Sequence, residues 1–150
     1  MSETKTRITE AELLGDIFKN VKMGADSIIN LMNRADDKSL REEMTRQLDR
    51  YEEFARRAAD MMTARGLTPK EENPITKAGA KIGMAMNTLT DSSVPHLAEM
   101  LIQGSSMGIT DLLKLISTAE ECEVGEEAIG LAREAADFEE DAVEKLKKFL

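Results

Sequence analysis

Tryptophan is absent from the 150-residue chain, and tyrosine, histidine and cysteine occur once each, as Tyr51, His96 and Cys122. Each scarcity removes a class of function. Without a set of aromatic rings the chain has no platform on which nucleic-acid bases could stack. One cysteine excludes an internal disulfide and a Cys-x-x-Cys pair, and a lone thiol fits a reducing compartment. There is no Gly-rich phosphate loop, and a single histidine leaves no Ser-His-Asp set at a recognisable spacing. Cations are also short, with 20 Lys and Arg against 29 Asp and Glu and a net charge of −9. That balance opposes nucleic-acid phosphates and anionic membrane surfaces as partners. No run of 18 apolar residues spans a bilayer, and Met1–Glu12 lacks the apolar core of a signal peptide. The expectation is a cytoplasmic protein with no nucleic-acid and no membrane partner.

What the chain does contain is helical periodicity. Hydrophobic residues make up 41% and charged residues 33%, enough to bury a core in one domain. Residues 1–8 are polar and expected to be disordered, leaving 9–150 as a single helical-bundle domain. Thr9 and Glu12 have capping-box spacing, so a first helix starts there and runs to about Ala35. Its apolar positions, Leu14, Phe18, Val21, Ala25, Ile28 and Met32, alternate steps of four and three, as on a bundle seam. Gly24 lies at the edge of that seam, where another backbone could approach. Asp36-Asp37-Lys38-Ser39 is a short connection, and Ser39 with Glu42 forms a second candidate capping box. A second helix from Leu40 to Arg65 carries Leu40, Met44, Leu48, Tyr51, Ala55, Ala58 and Met62, and Gly66 stops it. So short a turn makes the first two helices an antiparallel hairpin.

Asn73-Pro74 restarts a short third helix to about Leu89, with Ile75, Ile82, Met86 and Leu89 as its stripe. Val94 to Ala119 then reads as the most apolar helix in the chain. The last helix follows a short turn at 120–125, with Ala128, Leu131, Ala135, Phe138, Ala142 and Leu146 along its seam, so these two also form an antiparallel hairpin. The two hairpins are joined by residues 66–93, long enough to travel the length of a bundle of about 40 Å, at about 1.5 Å per helical residue.

The Val94–Ala119 helix carries two unusual features. At its middle, Gly104-Ser105-Ser106-Met107-Gly108 replaces the charged residues of a solvent-facing helix. Gly104, Ser105, Gly108 and Asp111 are therefore candidates for a core pocket or tight crossing. Ile102, Ile109, Leu113 and Ile116 form a second apolar face about 100° from the main seam. An uncovered aliphatic face marks an interface, and a homodimer through its Leu113–Ile116 end is the expectation, unless the short helix covers it.

On its helix lengths, its two hairpins, its crossover helix and the stretch from Met23-Gly24 through Asp36-Asp37, the chain resembles the ferritin-like superfamily. In size and layout it is similar to the small bacterial ferritin-like families of unknown function. The resemblance covers about Thr9–Phe149 and implies an all-α, ferritin-like four-helix bundle of two hairpins with a long crossover carrying a short extra helix. Ferritin-like di-iron sites use a Glu from each of two helices and Glu-x-x-His from each of the others. Here the nearest counterparts are Glu53-x-x-Arg56 and Glu140-x-x-Val143, without histidine, so the resemblance implies lost metal ligands and no cofactor.

The remaining polar residues read as structural. His96 lies in a helical first turn, without ligand partners at helical spacing. Asp111 needs a donor, as in an interhelical ion pair, or else lines a polar pocket with Gly104 and Gly108. Ten methionines raise copper(I), but Met32, Met44, Met62 and Met86 fall on seams, where Met fills cores. Cys122 lies among Glu120, Glu121 and Glu123, whose charge opposes a reactive thiolate. Glu42-Glu43, Glu52-Glu53 and Glu139-Glu140 read as largely outward, solvated pairs. The expectation is a metal-free, non-enzymatic bundle acting through self-association or protein docking. Two alternatives stand beside it: a small-molecule or metal-handling bundle with a site near Gly104–Asp111, and a degenerate di-iron redox protein.

Overall fold

A computed structural model describes residues 7–69 and 90–150. Among these residues the chain forms four α-helices and no strand: α1 (Glu10–Met32), α2 (Lys38–Ala64), α3 (Val94–Cys122) and α4 (Glu126–Leu146), with one 3-10 turn at Lys147–Phe149. The short helix expected at 74–89 lies outside the described residues.

Local chemistry sets the ends. The Thr9 hydroxyl accepts from the Glu12 backbone N–H at 3.1 Å, and the Glu12 carboxylate accepts from the Thr9 N–H at 3.2 Å, completing the expected capping box. Helix α2 departs from expectation. Its cap is Asp37, whose carboxylate accepts from the Leu40 N–H at 2.9 Å, so the Ser39–Glu42 box does not form. Gly66, at φ +71°, ends α2 by turning the chain so that the Leu67 N–H donates to the Met62 carbonyl. Glu123, at φ +53°, and Gly125, at φ +63°, make the tight link from α3 to α4. Ile8 is buried in the core, which corrects the expectation that all of residues 1–8 is a loose terminus.

The helices pack α1 on α2, α3 on α4, α1 on α3 and α2 on α4, with α1 and α4 meeting across the diagonal. Named pairs fix the directions. Arg65 after α2 bonds Glu10 of α1 and Glu127 of α4, while Tyr51 meets Glu139 and Arg57 meets Glu134. Rising numbers on α2 thus meet falling numbers on both neighbours. Gly125, beyond α3, touches Leu13, and Asn20 bonds the Gly108 carbonyl, so α3 runs against α1 as well. Every adjacent pair is antiparallel. The end of α2 and the start of α3 therefore stand at opposite ends of the bundle.

The core is built from Leu, Ile and Phe on α1 and α2 and largely from alanine on α4, where Ala128, Ala132, Ala135, Ala136 and Ala142 are buried. Met44 and Met62 are buried, and Met32, Met61 and Met100 pack against the core, which accounts for them as fillers. Phe54 is fully buried and lies 5.7 Å from the Phe138 ring, which in turn meets Tyr51 edge-on at 4.9 Å. The Arg50 guanidinium caps Phe54 at 4.7 Å. The apolar face of α3 divides: Ile116 is only 5% exposed and belongs to the core, Ile102 and Ile109 are half-buried, and Leu113 is 51% exposed. Ile116 is thus corrected from a surface position to a core one. Its angle on α3 places it closest to the main seam of the four.

Candidate functional site

Half-way along the bundle all four helices place a polar group inward: Asn20 on α1, Tyr51 on α2, Ser105 on α3 and Glu139 on α4. Glu139 is 2% exposed, as is Tyr51, and Ser105 is buried beside them. The Tyr51 hydroxyl donates to Glu139 Oε1 at 3.0 Å, and the Ser105 side chain bonds the Tyr51 oxygen. The Asn20 side-chain amide donates to the Gly108 carbonyl at 3.1 Å. Glu139 Oε2 and Asn20 Oδ1 are both buried without a protein partner among the described residues.

Two glycines make room for this arrangement. A β-carbon at Gly24 would stand 2.6 Å from Cζ of Tyr51, so the ring lies directly on the α1 backbone. A β-carbon at Gly108 would overlap Glu139 Oε1 and stand 3.0 Å from its Cδ, so the carboxyl lies flat on α3. Burial decides the protonation of both groups. It pushes Glu139 up to about 8, opposed by the Tyr51 hydrogen bond and helped by the negative charge of Asp111. It also lifts Tyr51 well above its ordinary value, with the nearby Glu139 charge adding to the effect. At neutral pH the site is therefore an uncharged hydrogen-bonded clasp between α2 and α4, seated on α1 and α3.

Of the four α3 residues expected at a pocket or crossing, Ser105 and Gly108 belong to this site. Gly104 does not, because a β-carbon there meets nothing within 4 Å. Asp111 is exposed, a correction of the pocket expectation; it acts on Glu139 only through its charge. The paired-acid reading holds for Glu42, Glu52 and Glu140, which are exposed, and is corrected for Glu43 and Glu139. Glu139 is at the centre, and Glu43 is buried near the other end of α2, bonded to Gln47 at 2.8 Å and to Arg46. The signal for Glu139 was present in the spacing: it stands four residues after Ala135 and three before Ala142, on the α4 seam.

The donors do not fit a di-iron centre. One carboxyl, one phenol, one hydroxyl and one amide converge, where such a centre takes four carboxylates and two imidazoles. The carboxyl is closed in by Gly108 and bonded to Tyr51, and it must lose its proton before it could bind a metal. Among the described residues no three His, Cys, Asp or Glu side chains come together as metal ligands. His96 is half-buried in the first turn of α3, and Asp91 before it is held below the usual carboxylate range by the Ser93 backbone N–H. Among the described residues no helix is long and apolar enough to cross a membrane.

No family model matches the sequence, and no curated protein matches it. Among solved structures the fold is similar to YcfI of Rhodopseudomonas palustris, described provisionally as a structural protein. The TM-score is 0.68 over 98% of this chain and 97% of that one, at 16% identity. The two share a fold across their whole lengths.

Proposed function

We propose that the chain is a ferritin-like bundle in which a neutral side-chain clasp stands where relatives of that architecture hold metal, and that it works without catalysis. In this reading it is a cytoplasmic structural element that self-associates or docks another protein. The observation that carries the reading is the Tyr51–Glu139 hydrogen bond pressed onto Gly24 and Gly108, which fills the mid-bundle position with two groups that are uncharged at neutral pH. The antiparallel order of the helices, with α2 ending opposite the start of α3, supports the ferritin-like assignment. The structural description of YcfI points the same way. The alternative of a small-molecule pocket at Gly104–Asp111 loses support, because Gly104 faces open space and Asp111 faces water.

The test is elemental analysis of purified protein, followed by melting before and after dialysis against chelator. The expected outcome is a folded protein with sub-stoichiometric iron and an unchanged melting temperature. Stoichiometric iron, or unfolding on chelation, would refute it. Sedimentation at micromolar concentration reports the self-association directly.

A further inference from the structure

Resting on that docking reading, the outer side of the α3–α4 hairpin narrows what can dock. A groove of about 570 Å³ runs there, with Ile109 and Val143 as its apolar floor. Leu113, half exposed, and Ile102, half-buried, continue the apolar line along α3 at helical spacing from Ile109. The opposite wall carries Asp137, Glu140, Asp141 and Glu144 of α4. Asp141 is paired with Lys145 at 2.9 Å and Glu144 with Lys147 at 2.8 Å. Asp137 and Glu140 have no cation partner among the described residues, and α3 brings none to the groove. The site is an aliphatic channel with unneutralised carboxylates on one flank only.

A second copy does not suit it. Two-fold symmetry would set α4 either against the other α4, carboxylates facing carboxylates, or against the uncharged side of the other α3. Both arrangements desolvate Asp137 and Glu140, and the cations on that flank, Lys145 and Lys147, are already taken by Asp141 and Glu144. An amphipathic helix with Lys or Arg beside its apolar stripe satisfies both requirements: the stripe covers Ile109, Leu113 and Val143, and the cations meet the α4 flank. We propose that the α3–α4 groove docks a cationic amphipathic helix of another protein.

The probe is a labelled synthetic helix of about 18 residues with a leucine stripe at i, i+3, i+4 and i+7 and lysines along one flank, alongside the same peptide with glutamates on that flank. Binding to the full chain is read by fluorescence anisotropy. The lysine peptide is expected to bind with a Kd on the order of 10 µM and the glutamate peptide at least about tenfold more weakly. Asp137→Lys with Glu140→Lys should weaken the lysine peptide by about tenfold or more and flatten its salt dependence. Leu113→Ser should weaken it while leaving the salt dependence in place. Asp49→Lys with Glu52→Lys, the same charge change on exposed α2 positions, should have little effect. All these positions are on the surface, and circular dichroism checks each variant; should the lysine pair lose helicity, Asp137→Asn with Glu140→Gln replaces it.

The proposal is overturned by equal affinity for the two peptides, by no binding at about 100 µM, or by an equal loss from the α2 charge changes. A dimer that Leu113→Ser dissociates would overturn it as well, by giving the groove to a second copy. Failure of the peptide to bind an iron-free protein leaves the metal-free structural reading intact, whereas stoichiometric iron refutes that reading whatever the peptide does.

Discussion

Replacing Glu139 by glutamine should make the protein more stable at neutral and mildly alkaline pH, although it alters a buried hydrogen-bonded residue. The reason is the position of the carboxyl. Folded, it titrates at about 8, because burial removes the water that would solvate its charge and the Asp111 charge opposes it. Unfolded, it returns to an ordinary value near 4.5. The native state therefore holds this proton more tightly than the unfolded chain. Stability is full below the unfolded value and falls as pH rises through the window from 4.5 to 8. Each pH step in that window costs about 1.4 kcal/mol. At pH 7 the loss is on the order of 3 kcal/mol, and for a domain of this size that is roughly 6–12 °C in melting temperature. Glutamine keeps the acceptor for the Tyr51 hydroxyl and nearly the same shape, but it has no proton to lose.

Thermal melts of wild type and Glu139→Gln from pH 5 to 8.5 test this. The wild-type curve should descend across the range and the variant's should be much flatter. The two should approach each other at pH 5, with the variant ahead at pH 8.5. The carboxylates held low, Glu134 by Arg57 and Asp91 by Ser93, titrate below this window and do not interfere. Parallel curves, or a wild type that gains stability with pH, would refute the reasoning.

Gly108→Ala should destabilise by on the order of 1–3 kcal/mol in chemical denaturation, because its β-carbon overlaps the Glu139 carboxyl, which is held between helices. Gly104→Ala, on the same helix but facing open space, should instead stabilise by up to about 1 kcal/mol. Tyr51→Phe should cost about 1–3 kcal/mol by leaving the acid without its donor. It should also move the descending part of the stability profile to higher pH, since that hydrogen bond is what opposes the upward pressure on Glu139.

The four described helices were legible in the sequence because their signals are local. Capping chemistry at Thr9, the glycine stop at Gly66 and a three-and-four rhythm of apolar residues each depend on neighbours within a few positions. Where several local options coexist, the choice was not legible: Asp36, Asp37 and Ser39 can all cap a helix, and Asp37 does so. The site was less legible for a different reason. Gly104 and Gly108 are equivalent along α3, one turn apart, and only the arrival of Glu139 from α4 makes one a contact and the other open surface. Asp111 shares an angular neighbourhood with the seam but falls just outside what α1 and α4 cover. Glu139 itself keeps seam spacing, and the general rule that acids face water outweighed the rhythm. A carboxyl that keeps core spacing needs only to stay protonated to remain there.

That protonated carboxyl also answers a packing question raised by α4. Five of the eight buried residues of α4 are alanines, Ala128, Ala132, Ala135, Ala136 and Ala142, and between the buried Leu131 and Leu146 the face is nearly smooth, so apolar burial in that stretch distinguishes poorly between registers one turn apart. Sliding α4 by a turn would bring Ala135 or Ala142 to the place of Glu139, an apolar exchange of modest consequence. It would, however, take the carboxyl off Tyr51 and drive it from the Gly108 gap into side chains, leaving a buried phenol without an acceptor and a buried acid without a donor. The salt bridge from Arg57 to Glu134 and the pair of bonds from Arg65 to Glu10 and Glu127 agree with the same register, but they are exposed and contribute little. The central clasp thus discriminates against the slipped arrangements. A neutral glutamic acid bonded to a tyrosine and fitted over two glycines supplies the alignment.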